Sequence, residues 1–365
     1  MKALKLGVIG VGGMGGCHAR NFSKLDEIDV VAVADVNEET ANTVASEIGA
    51  TAFTDYKKVI RKGAVEAILI ATPHPFHPAI AEYAARHDVH VLCEKPIAIS
   101  VAAADRMIEA CEKSGVLLGV VFQQRTEPVR RKMKQMVDDG VLGDIHRLSM
   151  VAPWYRTQAY YDSGSWRGTW NGEGGGILMN QAPHSLDQFS WIGGTPKKIQ
   201  GIAGTRLHDI TVENTSVAIC DYGDGKIGWL YASTADIPVP ERFEIVGDKG
   251  ALVFDDGKLR HLRTSEALSF NLRRPAEESV ELKSEWHEVE TETQPDGYGA
   301  IVKAFAEAVH NNDPSLMYAD GNDGLRSLEL ANAMLLAGYT RKEVSLPLSR
   351  KKYEKLLNKL RKEEK

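Results

Sequence analysis

Short apolar runs alternate with amphipathic stretches along the first third of the chain. Lys5–Gly10 (KLGVIG), Val30–Asp35 (VVAVAD), Val65–Ala71 (VEAILIA), Val89–Glu94 (VHVLCE) and Val116–Phe122 (VLLGVVF) read as buried strands. Between them, segments such as Asn37–Gly49 and Val101–Gly115 carry apolar residues at helical spacing. Strands that are apolar on both faces and alternate with helices predict a parallel sheet covered on both sides. Beyond residue 123 the pattern changes. Arg242–Phe254 (RFEIVGDKGALVF) predicts a hairpin turning at Gly247-Asp248-Lys249-Gly250. Gly324–Gly338 predicts a helix with an apolar face, and the tail Ser349–Lys365 spaces Tyr353, Leu356, Leu357 and Leu360 helically.

A chain of 365 residues exceeds what one core usually holds. The change of pattern divides it into 1–123 and 124–365. The net charge of −6 argues against a nucleic-acid-binding face or a membrane-surface role. Cys17, Cys93, Cys111 and Cys220 show no CxxC spacing, which fits reduced thiols. The chain reaches its first glycines too early for a signal-peptide apolar region, and no apolar run could span a bilayer. A cytoplasmic setting is expected.

Gly10-Val11-Gly12-Gly13-Met14-Gly15 satisfies GxGxxG between a strand and a helix. Gly10 permits the tight turn, Gly12 a close approach to a pyrophosphate, and Gly15 close packing of helix on strand. The phosphates are expected at a helix N-terminus. Asp35 ends the second predicted strand, placed to accept ribose hydroxyls and to repel the extra phosphate of NADP. Val36-Asn37-Glu38-Glu39 offers no arginine for that phosphate, so NAD is the expected cofactor.

Two further segments follow the carboxyl ends of predicted strands, where open α/β sheets bind ligands. Thr72-Pro73-His74, with His77 close behind, is expected to line the nicotinamide ribose. Glu94-Lys95-Pro96 places a lysine where its charge is costly unless used. Lys95 is expected to hold a substrate hydroxyl and stabilise the alkoxide, although most lysines simply face water. The spacing of His74 with His77, and of His87 with His90, does not make a metal site, because no cysteine or carboxylate completes a set.

Residues 172–188 read GEGGGILMNQAPHSLDQ. Four glycines in five positions give up backbone order, and Asn180 and His184 follow four residues apart. Pro183 places the start of a regular helix close by. His184 is a candidate general base, since imidazole titrates near neutrality.

GxGxxG with Asp35, ATPHPFH, CEKP and GGGILMNQAPHSLD, in this order, resemble the glucose–fructose oxidoreductase / inositol dehydrogenase / MocA (Gfo/Idh/MocA) family over nearly the whole chain. The resemblance implies an N-terminal Rossmann domain and a C-terminal α/β domain with a large, mostly antiparallel, open-faced sheet. It also implies homo-oligomers, dimers or tetramers, built on that face, and a cis bond at Lys95–Pro96. The implied activity is oxidation of a secondary alcohol on a sugar or cyclitol. Asn180 departs from the family, where aspartate is frequent. An amide cannot accept a proton, so Asp187, three residues after His184, is the candidate to orient the imidazole, and Asn180 is assigned to a substrate hydroxyl. Gln123, Glu94, Trp166 and Arg167 join the candidate cofactor contacts. Arg125, Trp154, Tyr155 and Tyr298 join Lys95, Asn180 and His184 as candidate substrate contacts.

Trp154–Trp170 is rich in aromatics, with Arg156 and Arg167, and reads as a loop able to stack on a pyranose. The leading expectation is an NAD-dependent sugar, glycoside or cyclitol dehydrogenase. The alternatives are an NAD-using glycoside-cleaving enzyme or an oxidoreductase that never releases its cofactor. From another class comes a non-enzymatic NAD sensor, which has no use for Lys95 and His184 together.

Overall fold

The computed structural model describes residues 2–292 and 297–364. The chain divides into two compact units, each discontinuous in sequence. The first comprises Met1–Thr126, Asn171–Gly174 and Pro295–Leu328, and the second Glu127–Trp170, Gly175–Gln294 and Glu329–Lys365.

The first unit is built on six parallel strands, β1 (Leu4–Ile9), β2 (Ile28–Ala34), β3 (Thr51–Phe53), β4 (Ala67–Ile70), β5 (His90–Cys93) and β6 (Leu118–Val120), in the order β3-β2-β1-β4-β5-β6. This is the doubly wound dinucleotide-binding order, whose direction reverses between β1 and β4. Helices α1 (Met14–Phe22), α2 (Glu38–Ile48), α3 (Tyr56–Lys62), α4 (His77–Ala85) and α5 (Val101–Ser114) alternate with the strands. Strand β3 was not foreseen, since three residues are too short for an alternation to register. Asn37, Asp55 and Ser100 cap α2, α3 and α5 with side-chain oxygens.

The same unit gains a segment from late in the chain. Ile301, Val302, Phe305 and Ala306 of α10 (Gly297–Asn311) join the core formed by Leu4, Leu6, Val8, Leu69 and Leu92. Asp320 makes an isolated bridge to Gly119 beside β6.

The second unit carries nine strands: β7 (Ile145–Pro153), β8 (Lys198–Gly204), β9 (Thr215–Gly223), β10 (Lys226–Ser233), β11 (Arg242–Gly247), β12 (Gly250–Asp255), β13 (Lys258–Thr264), β14 (Ser284–Glu288) and β15 (Val344–Ser345). Their order is β14-β13-β12-β11-β7-β10-β9-β8-β15, antiparallel throughout except for β7 with β10. The hairpin expected at 242–254 is β11–β12, with Gly247 opposite Gly250. Helices α6 (Pro128–Asp138), α7 (Gln158–Asp162), α8 (Pro183–Gly193), α9 (Leu268–Asn271) and α12 (Arg350–Glu363) complete it, and α11 (Gly321–Thr340) begins in the first unit and ends in the second.

Leu148, Met150, Leu230, Phe243 and Ile245 cover one face of this sheet with Leu186 and Phe189 of α8, all at most 1% exposed. The other face is open. Ile202, Ile219, Ile227 and Trp229 are 55, 61, 55 and 39% exposed, on alternate positions of β8, β9 and β10. Ile219 pairs with Trp229 across the ladder, and Val217 with both Tyr231 and Ile202, making one apolar patch. The tail helix docks on its own unit: Tyr353 and Leu357 are buried, and Arg361 donates to the Trp170 carbonyl. No helix among the described residues is long and apolar enough to cross a membrane.

Candidate active site

In the first unit the glycine-rich turn has the shape a pyrophosphate needs. Gly10 sits at φ +84°, and a Cβ there would lie 2.8 Å from the Ala71 carbonyl oxygen. A Cβ on Gly15 would lie 1.8 Å from the Gly10 oxygen, so α1 can approach β1 only with glycine. Before Gly13, by contrast, there is nothing within 4 Å. The first turn of α1 has neither a side-chain cap nor an acidic residue, leaving its N–H groups and dipole to an anion. Asp35 accepts the Val11 N–H at 3.0 Å and the Asn37 N–H at 3.0 Å, which ties the ribose-side carboxylate to the turn. Met14 and Val36 are exposed beside it, Val36 at 95%. These features fit NAD.

The loop after β4 is held from below. His77 is fully buried, with Nε2 2.8 Å from the Thr72 carbonyl and Nδ1 3.0 Å from that of Pro96. Burial lowers its pKa and keeps it neutral. His77 was a candidate cofactor contact, but it is fully buried: the one N–H of the neutral ring can serve the Thr72 carbonyl from Nε2, leaving Nδ1, 3.3 Å from the Cys93 Sγ, to accept from the thiol, so the ring braces the loops after β4 and β5. Thr72 and Pro73 stay half-exposed above it, and His74 Nδ1 lies 3.2 Å from the Glu173 carbonyl.

Lys95 follows β5, half-buried, in a cis bond to Pro96 as the resemblance implies. The preceding Glu94 accepts the Lys95 N–H at 3.1 Å and lies 2.7 Å from His18 Nε2. Burial pushes the Glu94 carboxyl up, yet His18 and Lys95 outweigh it and hold it below the usual carboxylate range. His18 is 2% exposed and packed between Phe22 and the ring of Tyr298, at 5.1 and 4.7 Å between centroids. The Tyr298 phenol is pushed up to about 12 by burial and by the Glu94 charge, so it stays protonated. Gln123 begins a short 3-10 turn after β6. Arg125, expected to touch substrate, is 2% exposed and ion-paired with Asp323 at 2.8 Å, and it donates to the Tyr318 carbonyl. Its guanidinium ties α11 to this turn, and that use of its charge is invisible to motif spacing.

In the second unit Gly176 opens a set of tight turns. Its Cβ would lie 1.7 Å from the Glu213 carbonyl oxygen. The Glu213 carboxylate, 0% exposed, accepts Gly176 N–H with both oxygens and Leu178 N–H with one, at 2.9–3.1 Å. Asn180 lies in these turns, its N–H bonded to the Gly176 carbonyl, and α8 starts at Pro183 as expected. Asn180 and His184 therefore do not share a helix. His184 and Asp187 occupy the first turns of α8, 6 and 1% exposed. Ser185 donates to Glu241 at 2.5 Å, and Glu241 pairs with Arg130, fixing the start of α8 to α6.

The aromatic segment is not wholly a loop. Thr157 caps a five-residue helix, α7, through the Tyr160 N–H. Trp154 donates to Ser185 at 3.4 Å and Tyr155 is 51% exposed. Arg167 lies 4.5 Å from the Trp166 ring and 4.4 Å from that of Tyr160. Among the described residues, no cluster of histidine, cysteine and carboxylates is arranged to hold a metal ion.

Residues 4–122 match a family model described as an oxidoreductase family with an NAD-binding Rossmann fold, and residues 130–253 match the GFO/IDH/MocA C-terminal domain. The chain belongs to the Gfo/Idh/MocA family. Its first unit is an NAD-binding Rossmann domain, and the protein is an oxidoreductase. Within the family it is 26% identical over 337 residues to myo-inositol 2-dehydrogenase of Thermotoga maritima, covering 90% of this chain and 95% of that one. It is 39% identical over 196 residues to inositol 2-dehydrogenase of Rubrobacter xylanophilus, 52% of each chain. Among solved structures, the WlbA dehydrogenase of Bordetella pertussis, in complex with NADH and UDP-GlcNAcA, superposes with a TM-score of 0.80 at 26% identity, covering 95% of this chain and all of that one.

Sequence reasoning passed over His18 and Glu213, and took Tyr160 only as one aromatic of the 154–170 segment. His18 had a signal: it sits one helical turn after Gly15, on the face of α1 that must pack inward. Glu213 had none, because its partners are backbone amides.

Proposed function

We propose that this oxidoreductase oxidises a secondary alcohol of a sugar, glycoside or cyclitol with NAD, in the cytoplasm, as a homo-oligomer. The carrying observation is Lys95: an ammonium at the carboxyl end of β5, directly after a carboxylate fixed by a buried histidine. A lysine at that place offers the cation that a forming alkoxide beside a dinucleotide needs. Bound NAD supplies the acceptor for the hydride. Lys95 holds the substrate hydroxyl and stabilises its oxygen, His184 takes the proton, and Asn180 offers its amide to a further hydroxyl. Asp187 orients the imidazole within α8. Thr72, Pro73 and His74 line the nicotinamide ribose, with Gln123 and Trp166 as further cofactor contacts. Trp154, Tyr155 and Tyr298 serve the sugar.

The identity to inositol 2-dehydrogenases supports a polyol substrate. The free thiols of all four cysteines fit a reducing compartment. A second copy of the chain is the proposed cover for the apolar patch of Ile202, Ile219, Ile227 and Trp229. The test is a panel of inositols, aldoses and glycosides followed by NADH absorbance. Rapid reduction of added NAD by one member is expected. Tight NAD binding with no reduction by any member would favour the sensor instead.

A further inference from the structure

We propose that the substrate carries an oxyanion, a carboxylate or a phosphate on the sugar, and that Arg156 and Arg167 receive it; this rests on the dehydrogenase reading above. Both guanidiniums stand over one ring, with Cζ atoms 5.0 and 4.4 Å from the Tyr160 centroid. Two cations on one side chain repel each other, and both are half-buried, where water screens them less. Several arginines in this unit answer their charge with a carboxylate, Arg130 with Glu127 and Glu241, Arg147 with Glu244, Arg274 with Glu266 and Arg350 with Glu329, whereas others such as Arg260, over the Trp286 ring, do not. Among the described residues, Arg156 and Arg167 pair with none.

What surrounds them is a set of donors. Arg167 Nη1, Asn180 Nδ2 and Gln181 Nε2 all donate to the Tyr160 hydroxyl, at 2.5, 3.2 and 3.1 Å. Arg156 Nη1 reaches the Tyr155 carbonyl at 3.0 Å, while its Nε is buried with no hydrogen-bond partner. Stacking on Tyr160 fixes the planes of both guanidiniums but takes few of their N–H groups. A fork of five donors matches a planar carboxylate or a phosphate, which would satisfy the remaining N–H groups and offset the repulsion. A neutral sugar supplies hydroxyls but no charge. The link to chemistry is Asn180, a proposed substrate contact that shares the Tyr160 hydroxyl with Arg167.

The probes are D-glucuronate, D-glucose 6-phosphate and a myo-inositol monophosphate, each compared with its neutral parent. Two readouts are used: NADH absorbance, and tryptophan emission, since Trp166 stacks on Arg167 at 4.5 Å. At least one anionic probe is expected to bind about tenfold or more tighter than its parent. That gap should narrow as salt rises, collapse in R156Q and R167Q, and partly return in R167K. Preference for the uronate or for the phosphates identifies which oxyanion the site takes. If every anionic probe binds no better than its parent, or if the gap survives both glutamine variants, the guanidiniums only stack on Tyr160 and the proposal is wrong. Should the variants not fold, a wild-type gap that is indifferent to salt overturns it equally. The dehydrogenase reading fails separately, when no probe or panel member yields NADH even though emission still discriminates anion from parent.

Discussion

The carboxylate of Glu213 holds the N–H of Gly176 between its two oxygens, at 3.0 and 2.9 Å, with no exposure to water. A buried charge of this kind persists only because backbone donors replace its hydration. It also helps burial to raise the Tyr339 and Tyr353 phenols. The turn carrying Asn180 towards α8 is thus tied to one side chain distant in sequence. In E213Q an amide N–H group must face a backbone donor, costing about 1–3 kcal/mol of stability. If Glu213 positions the turn as well as stabilising it, kcat falls more than KM changes at a temperature where the variant is fully folded. A lowered melting temperature with kcat intact would leave it a purely structural anchor.

Removing His18 should act through Glu94. With the histidine gone, only Lys95 opposes the burial that pushes the carboxyl up. The folded pKa of Glu94 is depressed in the wild type. Its contribution is therefore complete above the ordinary carboxylate value of about 4.3 and is lost as pH falls through the lower folded value. The stability gap between wild type and H18Q should be widest near neutrality and shrink on acidification below that window. A gap that stays constant with pH would show that His18 acts by packing on Phe22 and Tyr298 alone.

Lys95→Ala and His184→Ala should each lower kcat by about 10²–10⁴ while NAD still quenches protein fluorescence. Near-normal turnover in either variant removes that residue from the chemistry.

Asp35→Ser should weaken NAD through the lost ribose contact and relieve repulsion of NADP. The ratio of NAD to NADP affinity should drop by about tenfold or more. Part of the loss will come from the Val11 N–H that Asp35 also holds. An unchanged ratio would mean the discrimination lies elsewhere.

Ile219→Glu puts a charge beside Trp229 in the middle of the open sheet face. Sedimentation should then give a smaller assembly than the wild type. A wild type that is already monomeric, or a variant of unchanged mass, would reject the face as the contact between copies.

The parallel sheet was legible because buried strands and two-sided helices leave a pattern that survives in one dimension. The glycine turn and the start of α8 were legible for the same reason, each being a local backbone requirement, whereas the cis Lys95–Pro96 bond was implied only by the resemblance to the family. His77 and Arg125 misled because residue type and position along the chain do not tell whether the polar atoms are already spent. His77 is buried against the Thr72 carbonyl and the Cys93 thiol, 21 residues apart in sequence, and Arg125 spends its charge on Asp323. Pairings of that range are set by folding and leave no period to detect. Nor does the apolar face of α10 say which sheet it will cover.

That last assignment bears on how the molecule is made. The chain passes between its two units five times, and the first unit recruits Ile301, Val302 and Phe305 from a stretch ending at Leu328. A ribosome that has released only the six parallel strands has therefore delivered a nucleotide domain with one wall missing. Its apolar floor must wait for most of the message to be translated, so early truncation products should be prey for chaperones and proteases rather than small working cofactor binders.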